Sequence, residues 1–195
     1  MKLYDISQEV FGCKVYPGDP APNREVLSSI ADGALYNLTA FSMCAHNGTH
    51  VDAPAHFLPD GKTIDAIPLE STVGPAFVAE HTGILTAEDA KSILNRSRGC
   101  KRLLLKGEVT VSLGAAEVFA RNQLLLVGNE SQTVGPEDAP MAVHLALLKA
   151  GTVLLEGIRL QEVAEGEYFL FAAPLALGGA DGAPCRAILM KQHSP

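Results

Sequence analysis

The chain contains no tryptophan, and its four cysteines (Cys13, Cys44, Cys100 and Cys185) lie far apart with no C-x-x-C pair. That spacing argues against a disulfide framework or a thiolate zinc site and fits reduced thiols in a reducing compartment. Cys44, two residues before His46, reads as a small core residue rather than a ligand. Positive charge is scarce too: 15 Lys and Arg against 22 Asp and Glu give a formal charge of −7. An acidic balance argues against a nucleic-acid partner. The one basic cluster, Arg96, Arg98, Lys101 and Arg102, reads as a solvated helix end and loop. There is no apolar run of about 18 residues that could span a membrane. The opening Met-Lys-Leu-Tyr-Asp-Ile lacks the apolar stretch of a signal peptide, so the cytoplasm is the expected setting.

What is present is ordinary globular material. The 195 residues are 47% hydrophobic and 19% charged, enough for one well-buried core and short for two, so a single domain over 1–195 is expected. Residues 1–7 alternate as a strand, and 36–45 reads as a strand leading into a histidine-rich stretch. Residues 57–75 read as loop and 76–80 as a short strand. Thr86 with Asp89 predicts a capping box and a helix to about residue 95. Strands are expected at 102–106, 124–127, 152–156, 168–172 and 187–190. A short helix is expected at 113–121. Another should run to residue 149, capped by Asp138, with Pro140 in its first turn and Gly151 as its stop. From about residue 76 strands and helices alternate, which predicts an α/β layer.

The stretch 46–57 reads His-Asn-Gly-Thr-His-Val-Asp-Ala-Pro-Ala-His-Phe and holds three of the six histidines. Imidazole and carboxylate are the ligands that zinc and manganese favour. Gly48, Thr49, Val51 and Pro54 oppose a helix here. A straight strand would put His46, His50 and Asp52 on one face. It would also separate the two histidine Cα atoms by roughly 13 Å, too far to share an ion. Asn47-Gly48 is a turn signal that brings His46 back beside His50. His50 and Asp52, two apart, then project to one side. Pro54 is expected to keep the chain extended and aim His56 into the same cavity.

A second pair, His144 on an apolar helix and Glu156 at the end of an apolar strand, is ambiguous from the residues alone. A satisfied core histidine and an exposed glutamate is the simpler reading; burial of Glu156 would require a partner or a metal. Tyr16, in the turn-rich Val15-Tyr16-Pro17-Gly18-Asp19-Pro20, belongs either to a surface turn or to a loop over a pocket. Tyr16 and Phe57 are the aromatic candidates for contact with a small-molecule substrate. Glu130-Ser131 is a candidate pocket lining at a strand end. His81 reads as a surface residue and His193 as part of the tail.

The pattern His46-x-Gly48-Thr49-His50-x-Asp52-x-Pro54-x-His56-Phe57 resembles the signature of the cyclase family of metal-dependent hydrolases, which includes bacterial kynurenine formamidases and isatin hydrolases. Every fixed position is filled. Asp5-Ile6-Ser7, Tyr16-Pro17-Gly18-Asp19-Pro20, the Asp60-Gly61 and Leu69-Glu70 segment, Pro174-Leu175 and Asp181-Gly182-Ala183-Pro184-Cys185-Arg186 resemble further segments of that family. The resemblance implies a swivelling β/β/α domain assembled into homodimers or homotetramers. It implies one or two divalent ions, Zn2+ or Mn2+. His46, His50 and Asp52 would hold the first, and Asp52 would bridge to a second held by His144 and Glu156. His56 would stand beside the metal as the proton-transfer residue. Three departures from the family pattern concern the expected pocket wall. There is no tryptophan near Tyr16, the segment 106–112 is short, and 128–132 is altered.

The expected activity is hydrolysis of a small amide, lactam or lactone by metal-activated water, in the manner of an arylformamidase. Two alternatives stand beside it at this point: a metal-dependent lyase or cyclase, and a non-catalytic metal- or ligand-binding member of the family.

Overall fold

The computed structural model describes residues 1–191; His193 lies outside the described residues. In chain order the first strands are β1 (Lys2–Asp5), β2 (Asn23–Ser28), β3 (Leu38–Ser42) and β4 (His50–Asp52). Helix α1 (Leu69–Thr72) is followed by β5 (Val73–Glu80), β6 (Gly83–Leu85), α2 (Ala87–Arg96), β7 (Arg102–Lys106), β8 (Val109–Val111) and α3 (Leu113–Arg121). Then come β9 (Leu126–Asn129), α4 (Met141–Lys149), β10 (Val153–Glu156), β11 (Gly166–Phe171), β12 (Gly182–Pro184) and β13 (Ile188–Lys191).

Nine strands form one sheet in the order β1-β13-β11-β5-β7-β9-β10-β4-β12. Its middle, β5-β7-β9-β10, is parallel, and the strands at either side run antiparallel. Parallel neighbours need crossovers, and α2, α3 and α4 supply them. The period-two rule sorts the core into two faces. Leu103, Leu105, Val127 and Leu154 pack with residues of α2, α3 and α4, whereas Leu104, Leu126, Val153 and Leu155 pack with Ile6, Ile158 and Leu160 on the other side. A strand buried on both faces reads as a continuous apolar run, which is why Leu103-Leu104-Leu105 was legible as one.

Local rules set the helix starts. Thr86 accepts from the Asp89 amide and Asp89 reaches back to the Thr86 amide, the expected capping box. Ser112 accepts from the Ala115 amide at the start of α3. In α4, Pro140 occupies the N-cap and no side chain caps it, so Asp138 does not play the expected part. Proline fixes the helical φ and needs no partner for the missing N–H.

Three further expectations are corrected. Residues 57–75 contain α1 and the start of β5 rather than loop alone. Pro54 opens a single 3-10 turn over Pro54–His56 instead of an extended segment. Arg102 is not part of a solvated basic cluster: it is buried at the start of β7, with Nη1 donating to the Pro75 carbonyl at 3.1 Å and Nη2 to that of Glu70. No helix among the described residues is long and apolar enough to cross a membrane.

Candidate metal centre

The site is built on β4, a strand of three residues between β10 and β12. Glu156 of β10 lies directly opposite His50, and Gly182 of β12 directly opposite Asp52. Opposite residues share a face, and so do residues two apart, so His50, Asp52 and Glu156 converge on one side of the sheet. That side carries the helix layer, where α4 brings His144 down onto the carboxylates. His50, Asp52, His144 and Glu156 are all buried.

The chain bends at Asn47-Gly48 as expected, with Gly48 at φ +64°, but the hydrogen-bonded turn lies just before it, the Asn47 amide donating to the Cys44 carbonyl at 3.2 Å. A residue with a Cβ adopts that conformation only under strain. The turn places the His46 ring 5.1 Å from that of His50, centroid to centroid. The Gly48 carbonyl accepts from His50 Nδ1 at 3.0 Å and from Gln132 Nε2 at 3.0 Å. Gln8 Nε2 in turn donates to Gln132 Oε1 at 2.8 Å, and Thr49 Oγ1 donates to the Gly157 carbonyl at 2.8 Å. The altered segment 128–132 therefore braces the turn through Gln132. Glu130 is likewise structural: its carboxylate accepts from the Gly107 and Leu160 amides at 2.8 and 2.9 Å.

The chemistry follows from which atoms face each other. A carbonyl can only accept, so His50 donates through Nδ1 and presents Nε2, 3.3 Å from Asp52 Oδ1 and 3.6 Å from Glu156 Oε2. His144 is pinned in the same way: Nδ1 donates to the Pro140 carbonyl at 2.9 Å, and Nε2 lies 3.3 Å from Glu156 Oε1 and 3.7 Å from Asp52 Oδ2. Asp52 Oδ2 is buried without a hydrogen-bond partner. Neutral imidazole nitrogens and carboxylate oxygens turned towards one another are acceptors without a donor, a costly arrangement unless a cation or protons lie among them. Outer ring nitrogens held by backbone carbonyls are what orients histidine ligands. Among the described residues two triplets offer ligand atoms within 4.8 Å of each other, His50–Asp52–Glu156 and His46–Asp52–His56, and Asp52 is common to both. The residues present fit a divalent cation.

Within the cluster burial and charge act against each other. Burial opposes charging of His50 and His144. Carboxylate partners outweigh it, chiefly Asp52 for His50 and Glu156 for His144, and both pKa values are raised. At His46, burial is overridden by Asp52 and then Asp181, and the pKa rises to about 10. The carboxyl of Asp52 is held well below its usual range by His46 and His50 in spite of full burial. Glu156 goes up, through burial and the neighbouring charge of Asp52.

His56 stands beside this group rather than inside the most buried part. Its side chain is 28% exposed, against 1% for His50. The ring stacks on His46 at 4.0 Å, and Phe57 packs edge-on against it at 4.6 Å while lying 4.7 Å from the His144 ring. Phe57 is thus at the site. Tyr16 is not shown in it: its hydroxyl donates to the Glu137 carbonyl at 2.8 Å, and no ring or hydrogen-bond contact with the cluster is found among the described residues. His81 is elsewhere, beside the Ile84 carbonyl. A surface concavity of about 920 Å³ over Arg96–Cys100 and Gly166–Phe169 contains none of these groups.

Sequence reasoning missed Asp181 as a site residue. Its Oδ2 is 2.9 Å from His46 Nε2 and 3.0 Å from His56 Nδ1. Burial would raise its pKa, but the bonds and charge of His46, then the bond of His56, bring it below the usual carboxylate range. The residue is 125 positions beyond His56, and only its membership of a family-like segment hinted at a role.

Residues 4–134 match the model of a family described as "Putative cyclase". A kynurenine formamidase of Bacillus cereus is 34% identical over 202 residues, covering 95% of each chain. A solved structure described as a potential metal-dependent hydrolase with cyclase activity superposes with a TM-score of 0.83 at 30% identity, covering 99% of each chain. Isatin hydrolase A from Labrenzia aggregata superposes with a TM-score of 0.82 at 21% identity, over 98% of this chain and 94% of its own, a likeness of fold.

Proposed function

The chain belongs to this cyclase family, and on that premise we propose that it is a metal-dependent hydrolase of a small amide or related carbonyl compound, arylformamidase-like in its chemistry. The observation that carries the reading is a buried set of acceptor atoms with Asp52 Oδ2 unpartnered, next to a more accessible histidine that can move a proton. His46, His50, Asp52 and Glu156, drawn from the two triplets, would hold the metal together with His144, whose Nε2 faces Asp52 and Glu156, and His56, which completes one triplet, is kept for the proton. The all nitrogen and oxygen donor set suits Zn2+, with Mn2+ second. A divalent ion in this setting supplies Lewis acidity, acidifying water and polarising a carbonyl.

The remaining steps are done by the chain itself. His56 accepts the proton released as water adds to the carbonyl and returns it to the departing nitrogen or oxygen. The stack on His46 and the Phe57 edge hold its ring in place. Phe57 also forms an apolar wall next to the reacting carbonyl, where a planar aryl group can lie. Tyr16 is retained as a candidate substrate contact on the strength of the family segment, reaching the loop before α4 through Glu137.

We extend the proposal to a homodimer or homotetramer and to a cytoplasmic setting. The exposed apolar residues of β2 and β3 support the first, and four unpaired cysteines support the second. The activity is tested with a panel of aryl formamides, lactams and lactones after loading with zinc or manganese. Turnover lost on chelation and restored by metal, with the label of labelled water appearing in the product, is expected. Product formed without label would establish a lyase or cyclase instead. His56→Ala should keep its metal and lose about 10²–10⁴-fold in turnover; full activity in that variant would remove His56 from the mechanism.

A further inference from the structure

We propose that Asp181 is a positioning residue for proton transfer: it fixes His56 with Nδ1 as donor and Nε2 as the nitrogen that exchanges the proton, and it holds His46 by Nε2 in the same grip. The role given to His56 is that of the hydrolase reading above, on which the catalytic half of this inference rests.

The geometry is specific. One carboxylate oxygen, Oδ2, takes both imidazoles, at 2.9 Å from His46 Nε2 and 3.0 Å from His56 Nδ1. A carboxylate accepts and does not donate, so both ring nitrogens carry hydrogen towards it. For His56, the proton committed to Nδ1 leaves Nε2 as the acceptor. Histidines whose second nitrogen is held by a carboxylate have their tautomer and ring orientation set by it. Both rings are served by the same atom, and they stack at 4.0 Å with 28° between their planes, as rings converging on one acceptor can.

Asp181 is itself held firmly by its main chain. Its carbonyl accepts from the Ala53 amide at 2.9 Å, the carbonyl of Ala180 accepts from Ile64 at 2.8 Å, and Gly182 pairs with Asp52 in the sheet. The residue is thus tied directly to the segment that carries His50, Asp52 and His56, and its preceding neighbour to the turn at Ile64. Gly182 matters for the same reason. A Cβ there would lie 2.6 Å from His46 Cε1, so glycine is what lets the ring reach Asp181. The Oδ2 of Asp181 is taken up by the two rings, which makes the carboxylate their partner.

The test uses the full chain with Asp181→Ala, Asp181→Asn and Asp181→Glu. Nitrogen-15 imidazole spectra of the metal-free proteins read the tautomer directly. The neutral His56 ring should be the Nδ1–H form in the parent and move towards the Nε2–H form in Asp181→Ala. In the metal-loaded proteins, kcat on the formamide substrate should fall about 10–100-fold with KM unchanged. Asp181→Glu should restore part of the kcat and the parent tautomer. Asp181→Asn keeps the side-chain shape and supplies the comparison should Asp181→Ala misfold. An unchanged His56 tautomer, or unchanged kcat with a changed tautomer, overturns the proposal. If the parent hydrolyses nothing in the panel, the hydrolase reading fails separately, and the spectra of the metal-free chains still decide whether Asp181 sets His56.

Discussion

Glu156 lies directly across the β10–β4 pair from His50, and its Oε2 is 3.6 Å from His50 Nε2. The other oxygen, Oε1, accepts from the Val134 amide at 2.8 Å and faces His144 at 3.3 Å. One side chain therefore joins the sheet part of the site to the helix part. Glu156→Gln keeps the shape and can keep the Val134 contact, but loses the negative charge and offers one acceptor oxygen in place of two. Its metal affinity should drop by more than the about 10–100-fold typical of an outer-shell partner. Competition with a coloured chelator measures this; affinity equal to the parent would remove Glu156 from the ligand set.

Gly182→Ala tests how tightly the site depends on close packing. The added Cβ would meet His46 Cε1 at 2.6 Å and the Val51 carbonyl at 3.0 Å. The ring has to move, and with it one of the ligands grouped around Asp52. Metal content by elemental analysis should fall while far-UV circular dichroism stays that of the parent. A variant that holds its full metal would show that His46 has room to adapt.

The two halves of the site differed in how far they could be read ahead of the structure. His46, His50 and Asp52 were legible because a turn signal and a period of two act over six residues. His144 and Glu156 were ambiguous on their own, since their burial depends on strand order and on how α4 packs, neither of which is a local property. Asp181 was missed as a site residue for the same reason: its meeting with His56 is made by β12 pairing with β4. The strands missed altogether include β4, β6, β8 and β12, of three residues each, too brief for a pattern to show, and the six-residue β2, which is exposed along nearly its whole length and so carries no buried face to mark it. Arg102 was misjudged because a charged residue at a strand start looks solvated until the carbonyls that hold it are in view.

The capping box at α2 gives a stability prediction away from the site. Thr86→Ala removes the acceptor for the Asp89 amide and should cost about 1 kcal/mol. That corresponds to a Tm decrease of about 2–4 °C for a chain of this size. The pH dependence has a definite sign. The Asp89 carboxyl is held below its usual range, first by the Thr86 side chain and then by its amide. A carboxyl with a lowered folded pKa contributes stability that is present above its unfolded value and lost as pH falls through the folded one. The gap in Tm between Thr86→Ala and the parent should therefore narrow on going from pH 7 to pH 3. A gap that is constant across that range would mean the Asp89 carboxylate does not share in the cap.

The β2–β3 ribbon carries the prediction about assembly. Among the described residues it pairs only with itself, as a two-stranded sheet separate from the nine-stranded one. On β2, where the pairing shifts register between Val26 and Ser28, Val26 and Leu27 are 58% and 53% exposed, and Phe41 on β3 is 58% exposed. An isolated two-stranded ribbon is marginal in water, and exposed apolar residues on it favour association. If a second copy of the chain covers this ribbon, the parent should run in solution at twice or four times its 20.6 kDa. Leu27→Asp and Phe41→Asp would each place a charge in that interface and should shift light-scattering mass towards the monomer. Circular dichroism of the main sheet should be retained, since neither residue belongs to the core on either of its faces. A parent that is monomeric at micromolar concentration, or a multimer indifferent to both substitutions, would show that the ribbon is not the interface.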